Sequence, residues 1–278
     1  QGMRGLWRPD EGRYAAVALN MLETGDWLTP RLNRDTPHFT KPPLTYWLIA
    51  ASIAMFGRNE WAVRLPGTVA FLLTHFVTST PLRPKLVGAL GEWPYRGAYS
   101  LVAFVTLIWM IWAYSGAPRE PLWIGLRELP RFVMPLAFIL IACGYARNPT
   151  MVGADKLLKS EDPARGIIRI TRHPIMWGIM LWAAAHLLAR GERAAVVFFG
   201  GFLVLAALGT ILIDRRKSAD PDYQRFKAVP SNVPFVAFVQ GRNRLMWREI
   251  GWTRPLIGIA VFVLVFFLHP WISGGARP

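Results

Sequence analysis

The sequence predicts an all-α protein, a polytopic membrane helical bundle of about six transmembrane helices with a short interfacial helix near its N-terminus. Three observations predict it. Of 278 residues, 53% are hydrophobic and 13 are tryptophan, with a mean hydropathy of +0.28. Apolar residues gather into six long runs: Leu65–Ser79, Ala98–Ser115, Phe132–Ala146, His173–Ala189, Ala194–Ile213 and Pro255–Ile272. Lysine and arginine lie between the runs, 18 of them in loops 80–97, 147–172 and 214–254 and only 6 in loops 116–131 and 190–193 and the tail. The positive-inside bias assigns the richer set to the cytoplasm, which puts the N-terminal region and the C-terminus outside a multi-pass bacterial inner-membrane protein.

The same placement interprets the net charge of +15. Basic residues confined to the ends of apolar runs meet anionic lipid headgroups, so the expected partners are membrane lipids and not nucleic acid. A lone thiol, Cys143, excludes an internal disulfide, a CxxC motif or a cysteine zinc cage. The chain begins at Gln1 without a signal peptide or a first membrane helix, and an outside N-terminus then implies a missing upstream segment.

Taken in order, Asp10 to Leu22 reads as an amphipathic helix closed by Gly25. Leu44–Phe56 is apolar but only about 13 residues long, too short to cross and suited to the interface. Asn59 to Pro66 leads into the first run. The chain is organised around Arg165–Gly191, RGIIRITRHPIMWGIMLWAAAHLLARG. Pro174 suits a first helical turn, His173 stands at the helix mouth, and His186 lies about 20 Å deeper on roughly the opposite face. An ionisable side chain inside a membrane helix is costly and asks for a function. The basic loop 214–254 carries Tyr223, Phe226, Phe235, Phe238, Trp247 and Trp252, a composition that describes an interfacial belt. His269-Pro270 reads as helix punctuation, and His38 as solvated.

The front motifs DEGRYA, GDWLTPRLN, HFTKPPLTYWLIA and NEWAVRLP, over about residues 8–74, resemble the first extracytoplasmic loop of glycosyltransferases of the aminoarabinose-transferase and protein-mannosyltransferase type. The resemblance maps that family's acidic pair, linked to metal or acceptor activation, to Asp10 and Glu11. Its lysine maps to Lys41, which would hold a polyprenyl phosphate. Read by themselves, Asp10 and Glu11 equally describe the acidic first turn of a helix. The preceding helix of that family is absent, and the likeness ends near Thr74.

From about Val69 the residues HFVTSTPLR, LVGALGEWPYRGAYSL, RNPT, GAD, the 165–191 stretch, DRRK, SNVPF and WREIGW resemble the NnrU family of membrane proteins. The expected domains are therefore a glycosyltransferase-like loop fragment at 1–65 and an NnrU-like transmembrane domain at 66–278, joined as in a fusion. That resemblance implies a role in nitric-oxide and denitrification physiology. NnrU proteins are similar to the zeta-carotene isomerases, in which a histidine pair holds haem b, and this maps the axial positions to His75 and His186. A cysteine of the isomerases, three residues before the second histidine, is Ala183 here. Depth along the helices pairs His75 with His173 instead. Two alternatives remain. RHP followed by Gly178, Asp222 and Tyr223 resembles membrane methyltransferases, implying that Arg172 and His173 contact S-adenosylmethionine. The front segment by itself implies a remnant of a lipid-linked-sugar glycosyltransferase.

Overall fold

The computed structural model describes residues 9–33, 35–39, 43–115, 117 and 119–272. They form helices and connecting turns, with two isolated bridges and no strand among the described residues. Two compact units emerge, residues 1–123 with 192–201, and residues 124–191 with 202–278.

In the first unit, α1 (Pro9–Thr24) starts on a proline and ends at Gly25, whose φ of +72° lets its N–H reach the Met21 carbonyl at 2.9 Å. α2 (Pro43–Phe56) matches the expected interfacial helix. Its apolar side closes on α1 through Ala18, Leu19, Ile49, Ala50 and Ile53, and Tyr46 is fully buried against Val17 and Met21. His38 is half-buried against Tyr46, with ring centroids 6.3 Å apart, rather than solvated. Asn59 accepts from the Ala62 N–H and starts α3 (Glu60–Phe76), five residues ahead of the expected Leu65, and a 3₁₀ turn at Val77–Ser79 follows. α4 (Leu82–Leu90) leads to α5 (Glu92–Ser115), where Glu92 joins Arg83 and Arg96, each at 2.9 Å.

In the second unit, α6 (Leu129–Gly144) lies between two neighbours. A four-residue turn, α7 (Asp155–Leu158), and a 3₁₀ turn at Gly166–Arg169 precede α8 (Pro174–Arg190). α9 (Arg193–Arg216) belongs to the first unit up to residue 201 and to the second beyond it. The short helices α10 (Pro221–Ala228), α11 (Val236–Val239) and α12 (Trp247–Ile250) follow, then α13 (Thr253–Ile272). α6 packs against α8 and α13 through glycines. A Cβ at Gly178 of α8 would stand 2.8 Å from the Ala137 carbonyl, and one at Gly258 of α13 would stand 2.9 Å from the Ile139 Cα. Such close approach of backbones is how helices associate in lipid, where apolar burial gives little drive. At one end of these helices, Leu140, Cys143, Leu158, Ile167, Ile168, Tyr223 and Phe226 form a core. Tyr223 and Phe226 are therefore interior residues, not part of an interfacial belt, because α10 folds back under the bundle.

Each expected apolar run lies largely in a helix. Three helices are long and apolar enough to cross a membrane: Glu92–Ser115, Arg193–Arg216 and Thr253–Trp271. α6 is apolar but has 16 residues, and α3 and α8 have 17 each.

Candidate functional site, a buried charged node and a histidine pair

The RHP motif sits where the 3₁₀ turn meets α8. Pro174 at the first helical position leaves Arg172 and His173 just before the helix, both buried, with His173 1% exposed. Asp214, near the end of α9, receives them. The Arg172 Nε donates to Asp214 Oδ1 at 3.1 Å and Oδ2 at 3.0 Å, and Nη2 donates to Oδ2 at 2.5 Å. The remaining Nη1 donates to the Pro230 carbonyl at 2.9 Å. His173 Nε2–H donates to Asp214 Oδ1 at 2.9 Å, and the Tyr223 hydroxyl donates to the same oxygen at 2.6 Å. Burial, and then the Asp214 carboxylate, push the Tyr223 phenol above its ordinary range, so it stays a donor. His173 Nδ1 is buried with no hydrogen-bond partner among the described residues.

A backbone strap secures the node. Arg172 N–H donates to Ser231 O at 3.0 Å and Phe235 N–H to Ile170 O at 3.0 Å, while the Trp177 indole and the Thr171 hydroxyl both donate to Asn232 O, at 2.8 and 2.5 Å. The Arg172 guanidinium and the His173 Nε2 are thus already engaged by protein acceptors. In this arrangement the guanidinium does not present the open face that recognition of a cofactor carboxylate would use.

A second ionic cluster ties the 3₁₀ turn to α12. Arg169 donates to Glu249 through Nε at 2.7 Å and Nη2 at 3.0 Å, also pairs with Asp162, and Gly166 N–H donates to Glu249 at 2.9 Å. The Arg169 hydrogen bond, helped by the one from Gly166, holds the Glu249 carboxyl below the ordinary carboxylate range. Because that pKa is lower folded than unfolded, its stabilisation is fully present above about pH 4.5 and is lost as the pH falls through the folded value. Wild-type protein is expected to outlast Glu249→Gln in thermal unfolding at pH 7, with the gap closing over the acid range below about pH 4.5. A gap that stays constant over that range would exclude the ionic contribution.

His75, His186 and His269 lie in helices. His75 of α3, in the first unit, donates from Nδ1 to Phe71 O at 2.7 Å and packs on the Phe71 ring with centroids 4.1 Å apart. His186 of α8, in the second unit, donates from Nδ1 to Trp182 O at 2.8 Å. In both rings this tautomer leaves the lone pair on Nε2, the arrangement of a metal-ligating histidine oriented by a carbonyl. Beside His186 stands His269 of α13, with ring centroids 6.4 Å apart and planes inclined by 28°. His269 is therefore more than punctuation: α13 continues through Pro270 to Ile272, and the packing brings the two imidazoles together. Asp214 and His269 are the site residues that pattern reading missed. The signal for Asp214 was a single carboxylate closing an apolar run; His269 had none, since its partner is set by tertiary packing. Among the described residues, no group of three or more potential metal ligands occurs. The side chains of Asp10 and Glu11, and the whole of Lys41, lie outside the described residues.

Comparison with known proteins gives two kinds of match. Curated relatives are undecaprenyl phosphate-alpha-4-amino-4-deoxy-L-arabinose arabinosyl transferases. That of Shewanella sediminis is 44% identical over 63 residues, 23% of this chain and 11% of the relative. That of Pseudomonas savastanoi pv. phaseolicola is 34% identical over 128 residues, 45% of this chain and 23% of the relative. Transferase 2 of Pseudomonas fluorescens is 41% identical in an alignment covering 80% of this chain and 36% of the relative, and so runs past Thr74. This chain thus covers little more than a third of these transferases at most. No solved structure matches. The family model described as NnrU protein matches residues 65–277, taking in both the charged node and the His186–His269 pair, and the chain belongs to the NnrU family.

Proposed function

We propose that this NnrU-family membrane protein binds haem b, with His186 as one axial ligand, and serves nitrogen-oxide metabolism or a redox isomerisation. The observation that carries the reading is the His186 site, where a carbonyl fixes the tautomer and a second imidazole stands nearby. His186 and His269, with ring centroids 6.4 Å apart, are the residues that would hold the iron within one unit. The family resemblance gives His75 as the second ligand, and the packing within one unit offers His269. Bound haem would supply a redox-active iron. The chain's own part is to hold the imidazoles oriented in apolar surroundings, with Trp182 and Phe202 packed edge-on nearby, their centroids 5.1 Å apart. The reading includes a multi-pass inner-membrane location with both termini outside.

The test is an absorption spectrum of haem-loaded protein in detergent, oxidised and dithionite-reduced. A Soret band that disappears in His186→Ala, together with loss in either His75→Ala or His269→Ala, supports the reading and names the second ligand. A band unchanged in His186→Ala overturns it. If no variant or wild type takes up haem while S-adenosylmethionine binds and His173→Ala abolishes that binding, the methyltransferase likeness gains the site instead.

For the front segment we propose contact with a polyprenyl phosphate through Lys41, supported by the arabinosyl transferase relatives whose names carry undecaprenyl phosphate. Lys41→Ala is expected to weaken retention of polyprenyl phosphate about tenfold, read by quantifying lipid extracted from purified protein. Equal retention would rule the contact out.

A further inference from the structure

A cavity of about 230 Å³ opens in the second unit where α6 ends and α13 begins. Its lining is cationic: Arg147 just after α6, Arg165 before the 3₁₀ turn, and Arg254 in the first turn of α13, with Cys143 and Ile250 as apolar wall. One carboxylate lines it, Glu249, and that group already accepts two bonds from Arg169 and one from Gly166, with Arg165 4.0 Å away. Arg147 and Arg254 have no hydrogen bond or ion pair with any described residue. Arginines normally find anionic partners when they converge on a concave site, and the planar fork suits phosphate oxygens. Here the protein supplies the cations and leaves the anion to come from elsewhere.

The location narrows the anion's character. The cavity lies at the same end of α6 and α13, next to Trp247 and Trp252, which are 68% and 82% exposed. Exposed tryptophans beside apolar helices mark the headgroup level of a membrane. Leu256 and Ile257 of α13, 61% and 50% exposed, continue the apolar surface from there. We infer that this cavity is a binding site for a phosphate group, held by Arg147, Arg165 and Arg254 at the membrane boundary. The phosphate belongs to an anionic lipid headgroup or to a soluble phosphate compound, and the chemistry of recognition is the same for both. This site is separate from the histidine pair and does not depend on haem.

The full chain, delipidated in detergent, is titrated by native mass spectrometry with phosphatidylglycerol, phosphatidylcholine, glycerol 1-phosphate and inorganic phosphate. Wild type is expected to bind phosphatidylglycerol about tenfold more tightly than phosphatidylcholine, and Arg147→Gln/Arg254→Gln to lose about that factor. Arg225→Gln, whose side chain is 82% exposed on α10, serves as the charge-matched control for Arg254→Gln and is expected to bind as wild type does. If the double variant does not fold, Arg254→Gln alone is expected to lose several-fold. Binding of glycerol 1-phosphate or inorganic phosphate with the same dependence on these arginines, and no preference among lipids, upholds the site and assigns it to a soluble ligand. Equal binding of every phosphate probe by wild type and variant, or an equal loss in Arg225→Gln, overturns the inference.

Discussion

Replacing Asp214 with alanine is expected to cost about 3–5 kcal/mol, enough to leave little folded protein. The size follows from what the carboxylate holds. Arg172 and Asp214 have side chains 10% and 8% exposed, and His173 Nε2 and the Tyr223 hydroxyl converge on the same carboxylate. Without it, a buried guanidinium keeps only the Pro230 carbonyl, and two further donors are orphaned. Removing one partner of a buried pair costs far more than the pair contributes, because the charge left behind has lost both water and counter-ion. Tyr223→Phe removes a single donor and is expected to cost only about 0.5–1.5 kcal/mol. Asp214→Asn, which keeps an acceptor but not the charge, should fall between them. Against a total stability of about 5–15 kcal/mol the alanine variant stands apart. Thermal unfolding in detergent measures the order, and an Asp214→Ala loss no larger than that of Tyr223→Phe would show that the node is not structural.

Gly178→Leu is the second large effect. Even the Cβ of alanine at this position would meet Ile141 Cγ1 at 2.6 Å and the Ala137 carbonyl at 2.8 Å. The carbonyl is backbone and cannot rotate away, so α6 and α8 must separate along their contact. Overpacking of this kind costs about 1–3 kcal/mol for added methylenes, and leucine adds three carbons beyond alanine. Gly200 of α9 provides the contrast, since nothing lies within 4 Å of a Cβ built there. Gly200→Ala is expected to be neutral or to gain up to about 1 kcal/mol from reduced chain entropy. If Gly178→Ala and Gly200→Ala shift the unfolding temperature alike, the close packing of α6 on α8 is not what holds the second unit.

The helices were legible because lipid leaves no alternative: backbone groups in an apolar run must pair within the run. Their ends were less so. α3 and α5 begin earlier than the apolar residues do, since Asn59 and the Glu92 turn extend each helix into polar sequence. The number of crossings did not follow from helix content, because a 16-residue helix such as α6 can serve inside a bundle as well as across a membrane. At the site, Arg172 and His173 announced themselves as a polar motif at a helix mouth. Their partner did not, because Asp214 is separated from them by forty residues and sits next to Arg215-Arg216-Lys217, which dominates that stretch as a charge signal. The role of the strap from Val229 to Ala237, noticed only as the motif SNVPF, was hidden for a different reason. Its hold is exerted largely by backbone amides and carbonyls, as in Arg172 N–H to Ser231 O, and main-chain bonding leaves little trace in residue type.

Cys143 is the chain's one cysteine and is 2% exposed. This chain is therefore nearly silent toward bulky, membrane-impermeant thiol reagents. A reporter cysteine placed at Arg225 or at Arg119, both on exposed surface, would be labelled against almost no background. Intact cells would label only the reporter on the outer side, so the orientation of each loop can be read without first engineering a cysteine-free chain.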